Sequence, residues 1–325
     1  MYRIPYQIKL LLVIIPLSLF ILGLIYVRNS GLYFLKSVDP EYGYLLNGAA
    51  LACFKFDLQF ITNPGIPVHF ITAIVIGIVH LFRPELPLLD DVVVNPEFYI
   101  RAILYTINGI NAISLFILGI SVFHFTKNAV SAVFLQLMIL TNLLTIEATA
   151  RLMPEALMLA ISVCWIIIIF RWLYNYKSNY SLIFGFLISL SVTDKLTFLP
   201  YFFLPLILLE NWRERMKFLI YGIIFFIILG YPLVLNHHFF SDWVIGIIGH
   251  TGPYGQGDTG FAKADEFFSH LMALIRYTPF LFWGFIILLS VSIVYKIKAN
   301  FPIPKVLRLD TVFYSLILEP QVEFS

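Results

Sequence analysis

Long apolar runs separated by short polar stretches extend along the chain to about residue 295. A transmembrane helix needs about 20 predominantly apolar residues, and an open sheet cannot satisfy its backbone in lipid. The pattern therefore predicts an all-α, polytopic helical membrane protein with roughly eight or nine hydrophobic helices. The candidate segments are residues 8–27, 66–82, 99–123, 129–146, 155–172, 181–193, 195–209, 217–235 and 271–295.

The composition supports lipid as the main solvent of the chain. Of the 325 residues, 60% are hydrophobic and only 12% are charged, whereas soluble domains are about half apolar and about a quarter charged. A soluble domain of this size has too little interior to bury that much apolar surface. The composition excludes a secreted globular domain and a disordered chain, and a net charge of +2 gives no reason to expect a nucleic-acid partner.

We expect one integral membrane domain over residues 1–325, because neither a repeat nor a soluble domain is visible. The first apolar run follows basic residues, as in a signal peptide, but it is too long for one and is expected to stay as a helix. Two longer polar regions interrupt the pattern, residues 28–65 and residues 236–270. The second holds five glycines within residues 249–260 and predicts a solvated loop. The tail 299–325 predicts no element.

Lysine and arginine mark the expected cytoplasmic side. From Lys127 onward, two apolar segments separate consecutive basic clusters, so these clusters share one side. Three segments precede Lys127, so either one of them does not span the membrane or the rule is broken once. The short, proline-flanked segment 66–82 is the candidate for a re-entrant or interfacial segment. The basic clusters are Arg3/Lys9, Lys127, Arg171/Lys177, Arg213/Arg215/Lys217 and Lys296/Lys298/Lys305/Arg308.

The remaining loops, which then share the outer face, carry most of the other polar residues. In the first of them, Asp39 precedes Pro40, which predicts the N-cap of a juxtamembrane helix over residues 40–54. A carboxylate at the membrane–water boundary is also placed to act on a substrate. Later in that loop, the turn Asn63-Pro64-Gly65-Ile66-Pro67 enters the next apolar segment, and His69 follows in its first turn.

Two further outer segments contain charges beside apolar runs. Arg151 and Glu155 are four residues apart and can share a helix face. Alternatively, Pro154 and Glu155 fit positions N1 and N2 of the following helix, where the helix dipole favours an acidic residue. Such charges are costly unless they pair or serve a cavity. Thr193-Asp194-Lys195 interrupts residues 181–209 and predicts a tight outer turn, from which Lys195 can reach an anionic headgroup. The histidines near residues 237–250 match no zinc-ligand spacing, and no metal or cofactor is predicted.

Taken in chain order, these motifs resemble the GT-C class of polytopic glycosyltransferases, and especially the relatives of dolichyl-phosphate-mannose protein mannosyltransferases and the RgtA/B/C/D-like transferases. The resemblance covers residues 1 to about 210. It departs from the family pattern where asparagine replaces the usual histidine before Pro64 and where an aspartate is inserted into a Thr-Lys motif. The matching segments are Asp39-Pro40-Glu41-Tyr42 with Tyr44, Asn63-Pro64-Gly65-Ile66-Pro67, Arg151-Leu152-Met153-Pro154-Glu155 and Thr193-Asp194-Lys195.

This resemblance implies an inverting transfer of a sugar from a polyprenyl-phosphate donor to an acceptor hydroxyl, without a metal. The site would lie on the non-cytoplasmic side of a multi-pass protein of the cell or plasma membrane. The partners would be the lipid-linked sugar, membrane lipids and a glycan, lipid or protein acceptor. Asp39 would be the general base, and Arg151 and Lys195 would bind the donor phosphate. Glu155 would orient Arg151 or the sugar. The residues expected to contact sugar or acceptor are Glu41, Tyr42, Asn63, His69, Glu155, Asp194 and His250.

Two other functions fit the same pattern. A transporter or flippase of a lipid-linked sugar also needs a membrane groove with outer polar residues, and it predicts structural repeats. A non-catalytic membrane subunit predicts that Asp39, Arg151, Glu155 and Lys195 do not converge on one site.

Overall fold

The structure is a computed structural model that describes residues 5–33, 41–61, 63–140, 143–174, 178–250 and 259–260, with eight single positions between 268 and 286. Within these residues every regular element is a helix, and one isolated antiparallel bridge joins His250 to Thr259. Asp39, most of the segment 271–295 and the tail 299–325 lie outside the described residues.

Three helices, the first, the fifth and the eighth, are long and apolar enough to cross a membrane. The described chain is thus that of a helical membrane protein, with fewer long helices than the apolar pattern predicted. The helices are α1 Tyr6–Asn29, α2 Glu41–Ala52, α3 Ile66–His80, α4 Leu88–Val94, α5 Pro96–Thr126, α6 Ala129–Leu140, α7 Leu143–Ala148, α8 Glu155–Leu173, α9 Tyr180–Asp194, a 3₁₀ helix Leu196–Phe202, α10 Phe203–Leu208, α11 Trp212–Leu229, α12 Tyr231–Leu235 and α13 His237–Gly249.

Apart from segment 271–295, most of which lies outside the described residues, the other predicted apolar segments are helical but shorter or divided. Segment 195–209 is divided into the 3₁₀ helix and α10, because Pro200 and Pro205 lack the amide hydrogen that a continuous α-helix needs. Segment 217–235 is divided where α11 ends before Gly230.

A buried glutamine joins the first, fifth and sixth helices. Gln136 donates hydrogen bonds to the carbonyl oxygens of Leu12 (3.1 Å) and Leu115 (2.9 Å). The side chain needs the space at Gly119, where an added Cβ would lie 2.4 Å from its amide nitrogen. Polar side chains in apolar surroundings are retained when they are hydrogen-bonded, so Gln136 fixes how α6 packs against α1 and α5.

Two buried asparagines set the position of α8 along α5. Asn108 donates to the carbonyl oxygen of Thr149 at 3.0 Å, and Asn111 donates to that of Ala156 at 2.7 Å. The first turn of α8 therefore lies beside the middle of α5, and the first half of α5 extends past it.

The basic ends of the helices lie together. The ring of Phe125, at the end of α5, stacks on Tyr174 after α8 with a centroid distance of 5.3 Å. At the starts of α9 and α11, Ser181 donates to the carbonyl oxygen of Glu214 at 2.9 Å. The opposite end of the bundle consequently holds the beginning of α8 and the end of α9.

Helix α3 lies beside the part of α5 that extends past α8. In its first turns His69 stacks on Tyr44 of α2 (5.1 Å between centroids), and its last residue, His80, lies 3.7 Å from Asp91 of α4. Asp91 also accepts a 2.5 Å hydrogen bond from Tyr99 in α5. With 15 residues, α3 is shorter than a membrane-crossing helix. This favours the re-entrant or interfacial interpretation of segment 66–82, which stays a prediction.

The prediction of a solvated loop over residues 236–270 is wrong for its first part. Residues 237–249 form α13, which has no buried residue. Phe240, Trp243 and Ile247 follow one another at helical spacing, and this local periodicity outweighs the flanking glycines. The glycine-containing residues 251–258 lie outside the described part of the chain.

We predict that Gly185→Ala destabilises the bundle, since the added Cβ would lie 2.7 Å from the Cβ of Tyr221 and 2.9 Å from the backbone nitrogen of Gly222 in α11. Overpacking of this kind costs about 1–3 kcal/mol. Gly77→Ala in α3 is the control, because no atom lies within 4 Å of the added Cβ. Thermal unfolding in detergent should show a lower midpoint for Gly185→Ala alone. Equal midpoints for both variants would contradict the close packing of α9 on α11.

Candidate functional site

A tight turn before α3 contacts three other segments, which are α2, the start of α8 and the end of α9. Gly65 has a φ of +58°, a conformation that favours glycine. Its amide donates to the carbonyl oxygen of Asp194 at 2.9 Å. An added Cβ would lie 2.6 Å from the ring of Tyr44 and 3.2 Å from Pro154. Only a residue without a side chain lets α2, the start of α8 and the end of α9 approach this turn so closely.

Two ion pairs connect these segments across the turn. Arg151 donates through Nε to Oε1 of Glu41, the first residue of α2. Lys195 donates through Nζ to Oε1 of Glu155, the first residue of α8. Glu41 is only 1% exposed, and its pairing with Arg151 therefore replaces the water that a carboxylate would otherwise require.

Of the two predicted arrangements of Arg151 and Glu155, the shared helix face is wrong and the helix start at Pro154-Glu155 is confirmed. Pro154 is the N-cap of α8, so Arg151 precedes the helix and Glu155 begins it. Glu155 is bonded to Lys195 rather than to Arg151, and it therefore orients the other cation of the site.

Each ion pair includes buried polar atoms that have no hydrogen-bond partner among the described residues. Within the described residues, Oε2 of Glu41, Nη2 of Arg151 and Oε2 of Glu155 have no hydrogen-bond partner. Both carboxyl oxygens of Asp194 are in the same situation, and this residue is fully buried. Because buried polar groups are nearly always hydrogen-bonded, this combination of acceptors and a cationic donor suits a ligand that carries both hydroxyl groups and negative charge.

The described contacts of His69 are with Asn47 and Tyr44 rather than with the charged side chains. It is fully buried, and Nδ2 of Asn47 lies 3.3 Å from its Nε2. Burial lowers the pKa of His69 to about 4, so the ring is neutral near pH 7. It packs against Tyr44, which in turn donates to the carbonyl oxygen of Asn63 at 3.5 Å. His69 and Asn63, both predicted to contact a ligand, are therefore contacts of Tyr44 in the packing around the turn.

A residue that the sequence did not single out, Glu97, is hydrogen-bonded to two tyrosines, Tyr33 and Tyr42. Its Oε1 accepts from the backbone amide of Tyr33 (2.7 Å) and from the hydroxyl of Tyr42 (3.0 Å). These two tyrosines flank the segment 34–40. Burial, together with the Glu97 hydrogen bond, raises the pKa of Tyr42 to about 12, so this hydroxyl stays a donor. The only signal in the sequence was Asn95-Pro96-Glu97, which indicates a helix start.

Two predicted site residues are not placed in the cluster. Asp39 lies outside the described residues, two positions before Glu41. His250 is the C-cap residue after α13, and its Nδ1 lies 3.0 Å from the carbonyl oxygen of Gly246 in that helix. The described contacts of His250 do not reach the turn at Gly65. Among the described residues, no group of three or more His, Cys, Asp or Glu side chains could hold a metal ion.

No family model, no curated protein and no solved structure matches this chain. The resemblance to the GT-C class therefore rests on the motifs themselves. The geometry of the charged cluster is the independent basis on which a function can be inferred.

We predict that Arg151→Gln destabilises the protein by about 3 kcal/mol, because it leaves the buried carboxylate of Glu41 without its cation. The double variant Glu41→Gln/Arg151→Gln should recover most of this loss, since both charges are then absent. Equilibrium unfolding in mixed micelles gives the free energies of unfolding.

The control is Lys217→Gln, which breaks the solvent-exposed pair with Glu214 (2.7 Å) at the opposite end of the bundle. Exposed ion pairs contribute little, so the control should unfold like the wild type. A double variant that is no more stable than Arg151→Gln would contradict the assigned pairing.

Proposed function

We propose that this protein is a membrane glycosyltransferase that transfers a sugar from a polyprenyl-phosphate donor to an acceptor hydroxyl. The observation that supports the proposal is the meeting of Arg151, Lys195, Glu41 and Glu155 at one end of α8. A non-catalytic subunit would give no reason for four charged side chains from three segments to converge in a chain with so few charges.

The cations and the helix geometry suit a phosphate. The guanidinium of Arg151 keeps a buried nitrogen without a partner among the described residues, and such a group binds phosphate oxygens in a fixed geometry. Lys195 lies in the turn after α9. The start of α8, between these two side chains, carries the positive end of the helix dipole. Glu41 and Glu155 hold the cations in place before the ligand binds.

The proposed reaction is a direct displacement at the anomeric carbon of the sugar. The acceptor oxygen forms the new bond, and the bond from carbon to the phosphate oxygen breaks with its electron pair. Arg151 and Lys195 stabilise the charge that develops on the departing polyprenyl phosphate. Asp39 takes the proton of the acceptor hydroxyl.

The proposed orientation follows from the distribution of charge. The ends of the helices that carry Lys127, Arg171 and Arg213 lie opposite to the cluster, and such basic ends are retained in the cytoplasm. The site then lies on the non-cytoplasmic side of a multi-pass protein, where Glu41, Tyr42, Glu155 and Asp194 would contact the sugar or its acceptor, which is a glycan, a lipid or a protein.

Transfer of radiolabelled sugar in purified membranes, with a panel of polyprenyl-phosphate sugars, tests the proposal. We expect Asp39→Asn to lower transfer by at least about 100-fold, the usual contribution of a general base. Asp57→Asn is the matched control, because Asp57 is an exposed carboxylate in the same polar region, and it should leave transfer unchanged.

Full transfer by Asp39→Asn would contradict the role of Asp39 as the base. An absence of transfer with every donor would overturn the proposed enzyme and favour the transporter or flippase of a lipid-linked sugar. Translocation of a fluorescent lipid-linked sugar across liposome membranes would then test that alternative directly.

A further inference from the structure

Asp194 is a buried carboxyl group at the end of α9, next in sequence to Lys195, and none of the described residues forms an ion pair with it. It is the last residue of α9 and is fully buried. Neither of its carboxyl oxygens has a hydrogen-bond partner within the described residues. Its backbone carbonyl accepts from Gly65, and the next residue, Lys195, is bonded to Glu155. The backbone of Asp194 is thus held at the turn beside Gly65, and its carboxyl group takes part in neither of the two ion pairs.

Among the described residues, the ionisable groups around the end of α9 do not provide a counter-ion for Asp194. The cations of the two neighbouring segments are already bonded to other carboxylates, and the last turn of α11, Phe226–Leu229, has no ionisable side chain. The imidazole of α3 is neutral near pH 7. The groups concerned are Arg151 and Glu155 at the start of α8, His69 on α3, and Lys195 and Tyr201 in the segment after α9.

These surroundings favour the neutral form of the Asp194 carboxyl. A carboxylate without a partner is disfavoured by the loss of hydration. The C-terminal end of a helix adds the negative end of the helix dipole. Burial accordingly raises the pKa of Asp194 well above its usual range. A neutral carboxyl group has one O–H donor, which a carboxylate lacks.

We propose that Asp194 is the proton-donating carboxyl group of this site and that it donates its hydrogen bond to a phosphate oxygen of the lipid-linked ligand. The proposal rests on the function proposed above and extends it from binding by cations to donation of a proton. A phosphate oxygen accepts such a bond, whereas the unpartnered oxygens of Glu41 and Glu155 suit hydroxyl donors.

During transfer, the phosphate diester of the donor becomes a phosphate monoester and gains one negative charge. Asp194 transfers its proton to that monoester as the bond between phosphate oxygen and anomeric carbon breaks. Asp39 receives the proton of the acceptor hydroxyl as the new bond forms. One proton is therefore taken up at Asp39 and one is released from Asp194, and both exchange with solvent after product release.

Infrared difference spectroscopy of the full chain in liposomes tests the protonation of Asp194 without any need for turnover. The spectrum of the wild type minus that of Asp194→Asn at pH 7 should show the carbonyl stretch of a protonated carboxylic acid. Asp57→Asn is the control and should leave the band of the protonated carboxylic acid in place, since Asp57 is exposed and lies outside the cluster. Addition of polyprenyl monophosphate should move the Asp194 band to lower frequency, because the new hydrogen bond weakens the carbonyl.

A carboxylate band in place of the protonated band would overturn the proposal, and so would a protonated band that polyprenyl phosphate leaves unmoved. Activity gives a second measurement. Asp194→Asn should fold like the wild type and lower the maximal transfer rate at pH 7 at least about tenfold. Transfer by the wild type should fall as pH rises and Asp194 loses its proton, and the variant should not show this fall.

The two proposals can fail separately. A protonated Asp194 whose band responds to polyprenyl phosphate, in a protein without transfer activity, would support donation to the phosphate and overturn the glycosyltransferase. Transfer that is retained by Asp194→Asn at every pH would support the enzyme and overturn the role of Asp194.

Discussion

The hydrogen bond from the amide of Gly65 to the carbonyl oxygen of Asp194 is the contact on which the rest of the site depends. It joins the turn before α3 to the end of α9, and the missing side chain of Gly65 admits Tyr44 and Pro154 to the same point. Each of the four segments brings part of the site with it. Loss of this close approach would separate the two ion pairs, even though every helix could still form.

The three described carboxyl groups of the cluster differ in their partners rather than in their chemistry. Glu41 and Glu155 each hold a cation, whereas Asp194 is buried without one. Unequal surroundings let similar groups take different protonation states near neutral pH. In the proposed enzyme, these unequal surroundings provide two fixed cations for a phosphate and one neutral carboxyl group that can donate a hydrogen bond to it.

The sequence predicted the helical class, the break at Asp194-Lys195 and a helix that starts next to Pro154, because local periodicity and proline govern these features. It did not predict the ion pairs, whose partners are 110 and 40 residues apart. Apolar spacing carries no information on which charged loops meet. For the same reason Glu97 was missed. The lengths of the apolar helices were overestimated, because hydropathy does not detect where glycine and proline end a helix, as at Gly230.

The central claim is that the charged cluster binds a lipid phosphate, and native mass spectrometry in detergent tests it most directly. The wild type should bind polyprenyl phosphate and not the uncharged polyprenol. The Glu41→Gln/Arg151→Gln variant should bind it at least about tenfold more weakly, the loss of one charge-assisted hydrogen bond. Glu214→Gln/Lys217→Gln, an equal change at the opposite end, should bind like the wild type. Equal binding of phosphate and alcohol, or equal affinities of both double variants, would contradict the account.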